Sequence, residues 1–85
     1  MQSFDHIIRD PLGLHARPAG KLVRTAAPFQ SRVTLHCGEK QAEGDRLMAL
    51  MLLGAKQGTI LHAEIDGADE DACASALREC LEQNL

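Results

Sequence analysis

The chain has 85 residues, a formal net charge of −3, 45% hydrophobic and 25% charged side chains, which leaves room for one hydrophobic core and not two. It has no Trp or Tyr and only two Phe, so a base-stacking surface is excluded, and the acidic balance excludes a general nucleic-acid binder. No apolar run approaches the roughly 20 residues of a membrane-spanning helix.

The opening "MQSFDHIIRD" is too polar for the apolar centre of a signal peptide. "SFDHII" alternates loosely and predicts a first strand, ending in the turn residues "RDPLG". A helix is expected from about Ala16 to Ala27, where Ala19, Leu22, Val23 and Ala26 repeat at the spacing of one apolar face. Pro18 falls in its first turn, where a missing N–H breaks no intrahelical bond, and Pro28 stops it. "RVTLHC" predicts a half-buried strand with Val33, Leu35 and Cys37 on one face, and "QAE" a short return strand after the turn "GEK". "GDRLMALMLLG" predicts a short helix with Asp45 as its N-cap and Gly54 at its end. In "TILHAEIDG", Leu61, Ala63 and Ile65 alternate with His62, Glu64 and Asp66. "ADEDACASALRECLEQ" predicts a last helix capped by Asp69, with Cys73, Ala76, Leu77, Cys80 and Leu81 as its stripe.

The order β-α-β-β-α-β-α, with one apolar face per strand, predicts an α+β domain spanning 1–85. Its antiparallel sheet is covered by helices on one side. His36 and His62 share the polar face and read as solvated strand residues that could approach one another. The three cysteines are odd in number and lack C-x-x-C spacing, so reduced cytoplasmic thiols packed as small hydrophobes are expected.

The chemistry gathers at "GLHARPAG", residues 13–20. With His15 as the N-cap, the free N–H groups of Ala16 and Arg17 stand at the helix mouth. The partial positive charge there attracts anions. Arg17 adds a guanidinium fork suited to a phosphoryl group, and Lys21 and Arg24 follow at about one-turn spacings. In its uncharged form the imidazole offers a nucleophilic lone pair there.

Together with "LMALMLLGAKQGT" in the middle and this order of elements, "GLHARPAG" resembles the histidine-containing phosphocarrier (HPr) family of the bacterial phosphoenolpyruvate-dependent sugar phosphotransferase system. The likeness extends over essentially the whole chain. It implies an open-faced β-sandwich of four antiparallel strands and three helices on one face. It also implies a stoichiometric carrier rather than an enzyme: His15 accepts a phosphoryl group from phosphorylated enzyme I and donates it to the IIA domain of a sugar permease. In the family the group sits on Nδ1, Arg17 matches the arginine that steadies it, and no cofactor or metal takes part. The resemblance further implies docking of both partners on Ala16, Gly20, Arg24, Leu47, Met48, Met51 and Leu52. A cytoplasmic monomer without nucleic-acid partners or membrane insertion is expected.

One departure stands out. Many Gram-positive relatives carry a kinase-modified serine at the start of the second helix. Arg46 occupies that place here, so insensitivity to that kinase is expected. The alternatives are a paralogue serving a nitrogen-related or a fructose- or dihydroxyacetone-specific branch and, from another class, a small α+β metal-binding module. The latter generally needs a pair of soft ligands on an early loop, where this chain has Leu14-His15-Ala16-Arg17.

Overall fold

Side-chain alternation in four segments produces one antiparallel sheet of strand order β1-β4-β2-β3. The computed structural model describes all 85 residues. Its elements are β1 (Gln2–Ile7), α1 (Ala16–Ala26), β2 (Arg32–Cys37), β3 (Lys40–Glu43), α2 (Leu47–Met51), β4 (Ile60–Asp66) and α3 (Glu70–Asn84). This is the order expected from the sequence.

The central strand β4 shows how the pattern sets the layers. Leu61, Ala63 and Ile65 are fully buried, while His62 and Glu64 between them are only half-buried, because successive side chains point to opposite faces. The register then runs Phe4–Ala63–Leu35–Ala42 across all four strands, an apolar row beneath the helices. Leu22 of α1 and Leu77 and Leu81 of α3 close over it, completing a core cluster of 21 buried residues. α1 packs beside both α2 and α3. Cys73 and Cys80 belong to this core, and burial pushes the Cys73 thiol up from its usual pKa, with Asp69 adding to the shift. All three cysteines are free, as expected, although Cys37 is only half-buried.

On the open face His36 pairs directly with His62, their ring centres 5.8 Å apart. Neither is simply solvated: His36 hydrogen-bonds Glu64, and His62 hydrogen-bonds Asp5.

Two helix starts differ from expectation. α2 has only five residues and is N-capped by Arg46, with Asp45 exposed in the turn before it. Asp69 does occupy the N-cap position of α3, but its side chain makes no bond to the helix. It accepts instead from the N–H of Gln30, and from the N–H and hydroxyl of Ser31, on the loop that enters β2. Three donors on that loop outcompete the one or two of the helix start. The Ser31 hydroxyl, and then the Gln30 amide, hold the Asp69 carboxyl below its usual pKa. A depressed folded-state pKa stabilises the fold above the unfolded value of about 3.9, and that stability is lost as pH falls through the folded value. Asp69→Asn is therefore expected to lower the melting temperature at pH 7. The gap from the parent should close below about pH 4 in thermal melts.

Candidate functional site

His15 is held between two anchors. Leu14 before it is buried in the core, and Pro18 and Ala19 after it are buried residues of α1 itself. Its backbone is extended at φ −103° and ψ −173°, while its carbonyl already accepts the Ala19 N–H at 3.0 Å. That is N-cap geometry, as the sequence predicts, but the ring makes no capping hydrogen bond and stays free. Its side chain is 35% exposed. The N–H groups of Ala16 and Arg17 lie at the N-terminus of α1, where no intrahelical carbonyl can reach them, and Pro18 has none to offer.

The loop before the ring is tied down on both sides of Pro11. Asp10 accepts the Gly13 N–H at its carbonyl (2.9 Å) and the Leu12 N–H at Oδ1 (2.8 Å). Asp at the first position, Pro11 at the second and Gly13 at the fourth are the residues such a turn favours. Gly13 has φ +67°, and a Cβ built there would lie 2.4 Å from the Ala55 carbonyl oxygen. The next N–H, that of Leu14, donates to the same oxygen at 2.9 Å. The other end of the turn is stitched to the end of α3, where the Leu85 carbonyl accepts the N–H groups of Arg9 and Asp10.

His15, Arg17 and Lys21 line one open cleft with Asp10, Leu12, Pro18, Gln83 and Asn84. Arg17 is exposed, and Lys21 donates to the Asn84 Oδ1 at 2.9 Å. Arg24 lies outside this cleft. It faces the groove between α1 and α3 that Thr25 and Glu79 also line. The positive set around the ring is therefore the helix end, Arg17 and Lys21.

A second feature adjoins α1. Met48 and Leu52 are 67% and 69% exposed, with Leu47 and Met51 also exposed, while Leu50 and Leu53 turn into the core. Ala16 and Arg24 are exposed on α1 and Gly20 is half-buried. Together these side chains leave an exposed apolar patch on the α2 side of α1. No helix is long and apolar enough to cross a membrane.

A protein-family model described as "PTS HPr component phosphorylation site" matches residues 2–83. The chain belongs to the HPr family. The phosphocarrier protein HPr of Xylella fastidiosa (strain 9a5c) is 42% identical over 85 residues, covering 100% of this chain and 96% of that protein. The solved histidine-containing phosphocarrier protein of Mycoplasma matches with a TM-score of 0.93 at 35% identity, covering 96% of this chain and 93% of that one. The HPr dimer from Thermoanaerobacter tengcongensis matches at 0.76 and 32% identity, covering 98% and 95%.

Within an HPr fold, the structure adds groups at the cleft that the sequence pattern did not single out, Asn84 and Asp10 among them. Asn84 reaches the cleft because α3 ends beside the turn of residues 10–13, a tertiary contact without a local signal. Asp10 brings its Oδ2 to 3.9 Å from Nε2 of His15. The Asp-Pro-x-Gly turn signature did carry that information, since a turn-initiating Asp has one carboxylate oxygen left over.

Proposed function

We propose that residues 1–85 act as one phosphocarrier domain, in which His15 accepts a phosphoryl group from phosphorylated enzyme I and passes it to the IIA domain of a sugar permease. An accessible, uncapped imidazole at a helix N-terminus carries this reading, in a chain of the HPr family. A lone pair of the His15 ring forms the new N–P bond as the donor's N–P bond breaks, its electron pair returning to the donor ring. Onward transfer is the reverse. The protein's part is positioning and charge: the Ala16 and Arg17 N–H groups and the Arg17 guanidinium receive the oxygens that arrive. Lys21 supplies further positive charge from the same cleft.

Ala16, Gly20 and Arg24 on α1, with Leu47, Met48, Met51 and Leu52 around α2, form the docking face. Flexible, polarizable methionines let one patch fit two partners in turn. The carrier works as a cytoplasmic monomer, because the same face must be free for each partner. In a relay reconstituted from enzyme I, this protein and a IIA domain, labelled phosphoryl from phosphoenolpyruvate is expected to reach IIA only when all three are present. Met48→Glu should raise the KM for this protein about 5- to 30-fold in both steps, the size of a central contact's loss. It should leave the hydrolysis rate of the loaded protein unchanged. An unchanged KM removes Met48 from the docking face, and label that never reaches IIA contradicts the relay.

A further inference from the structure

Resting on the carrier role proposed for His15, we infer that Asp10 is a positioning residue that keeps the ring proton on Nε2 and so presents Nδ1 to the phosphoryl group. Asp10 is itself fixed by its N–H to the Leu85 carbonyl (3.1 Å), its carbonyl to the Gly13 N–H, and its Oδ1 to the Leu12 N–H. With Oδ1 committed to the turn, Oδ2 is the oxygen that faces the ring, 3.9 Å from Nε2. A neutral imidazole has one N–H and one lone pair. A lone pair on Nε2 would point at a carboxylate, whereas an N–H there is attracted to it. The proton therefore belongs on Nε2 and the lone pair on Nδ1.

The gap is about 1 Å longer than a hydrogen bond, a distance that ring rotation can close. His15 has no capping bond to break in doing so. Arg17 and Lys21, the cations of the same cleft, are left to the phosphoryl oxygens.

The same carboxylate acts in the loaded state. Once Nδ1 carries phosphorus and Nε2 its proton, the ring is cationic, and Asp10 stabilises that charge. In onward transfer the N–P bond breaks and its pair returns to Nδ1, leaving a neutral imidazole with the proton still on Nε2. No proton moves in either direction. A ring protonated instead on Nδ1 would first have to exchange its proton to solvent.

The test compares the parent with Asp10→Asn and Asp10→Ala. Asparagine keeps an oxygen for the Leu12 N–H, and hence the turn, but holds no charge. Long-range 1H–15N spectra of the unloaded protein are expected to show His15 as the Nε2–H tautomer in the parent and a raised Nδ1–H fraction in both variants. The kcat for acceptance from enzyme I should fall about 3- to 5-fold in Asp10→Asn, the effect of a partly exposed charge pair, with KM unchanged. An unaltered tautomer and kcat in both variants, with the parent loading normally, overturns the role of Asp10 and leaves the carrier role standing. A change confined to KM also overturns it, since that would make Asp10 part of the docking face. A parent protein that accepts no phosphoryl group at all overturns the carrier role first.

Discussion

His15→Ala is expected to take up no phosphoryl group from enzyme I and phosphoenolpyruvate, while its stability stays within about 0.5 kcal/mol of the parent. The two halves of this expectation have separate causes. Acceptance is lost because the other three histidines lie on strands: His6 on β1, His36 on β2 and His62 on β4. None of them stands at a helix N-terminus beside an arginine, and His36 and His62 are already held by Glu64 and Asp5. Stability is kept because the His15 ring is partly exposed and makes no capping hydrogen bond, so alanine removes no cap and leaves no buried polar group unpaired. Urea denaturation followed alongside phosphoryl uptake measures both. Uptake by the variant, or a large loss of stability, would contradict this account of the site.

Gly13→Ala is expected to lower unfolding stability by about 2–4 kcal/mol, read from the shift of the urea midpoint. Two penalties combine. The backbone at φ +67° places Cβ too close to the following carbonyl in any L residue, and the new Cβ would overlap the Ala55 carbonyl oxygen. Relief requires the loop to move away from Ala55, which breaks the Leu14 N–H bond to the same oxygen and shifts the anchor immediately before His15. Acceptance from enzyme I is therefore expected to slow by tenfold or more even under conditions where the variant is folded, because small displacements of a reacting group are costly. A variant with parental stability and parental transfer would show that the loop is not clamped in this way.

These two sites differ in how openly the sequence announces them. His15 was legible because a helix start has a local signature: an apolar periodic face from Ala19 to Ala26, a proline in the first turn, and a polar residue just before. The strands were legible for a similar reason, since Leu61, Ala63 and Ile65 alternate without interruption. What stayed hidden depends on residues far apart in the chain. Asp69 looks like a helix cap from its neighbours alone, yet the donors it bonds lie 38 and 39 positions earlier, on Ser31 and Gln30. Asp45 reads as a cap for α2, but the chain leaves β3 through a turn in which the Arg46 N–H bonds the Glu43 carbonyl, and the helix begins one residue later. The clamp on Gly13 needs Ala55, and the cleft needs Gln83 and Asn84 from the end of α3. Local periodicity says nothing about such partners.

The docking face is intermediate. An apolar "LMALMLL" cannot all be buried in so small a domain, and the register of a single short helix decides which side is inside. The structure buries Leu50 and Leu53 and leaves Leu47, Met48, Met51 and Leu52 outside, the four that the family resemblance implies for docking. One face of α2 thus completes the core, and the other is the face proposed for docking.

The central claim is that one imidazole at the mouth of α1 holds the transferred group. Intact mass after incubation with enzyme I and phosphoenolpyruvate, followed by fragmentation under neutral conditions, tests it most directly. The expected result is a gain of one phosphoryl group, lost on brief acid treatment and localised to His15. A gain that survives acid, or that maps to any other residue, would contradict it.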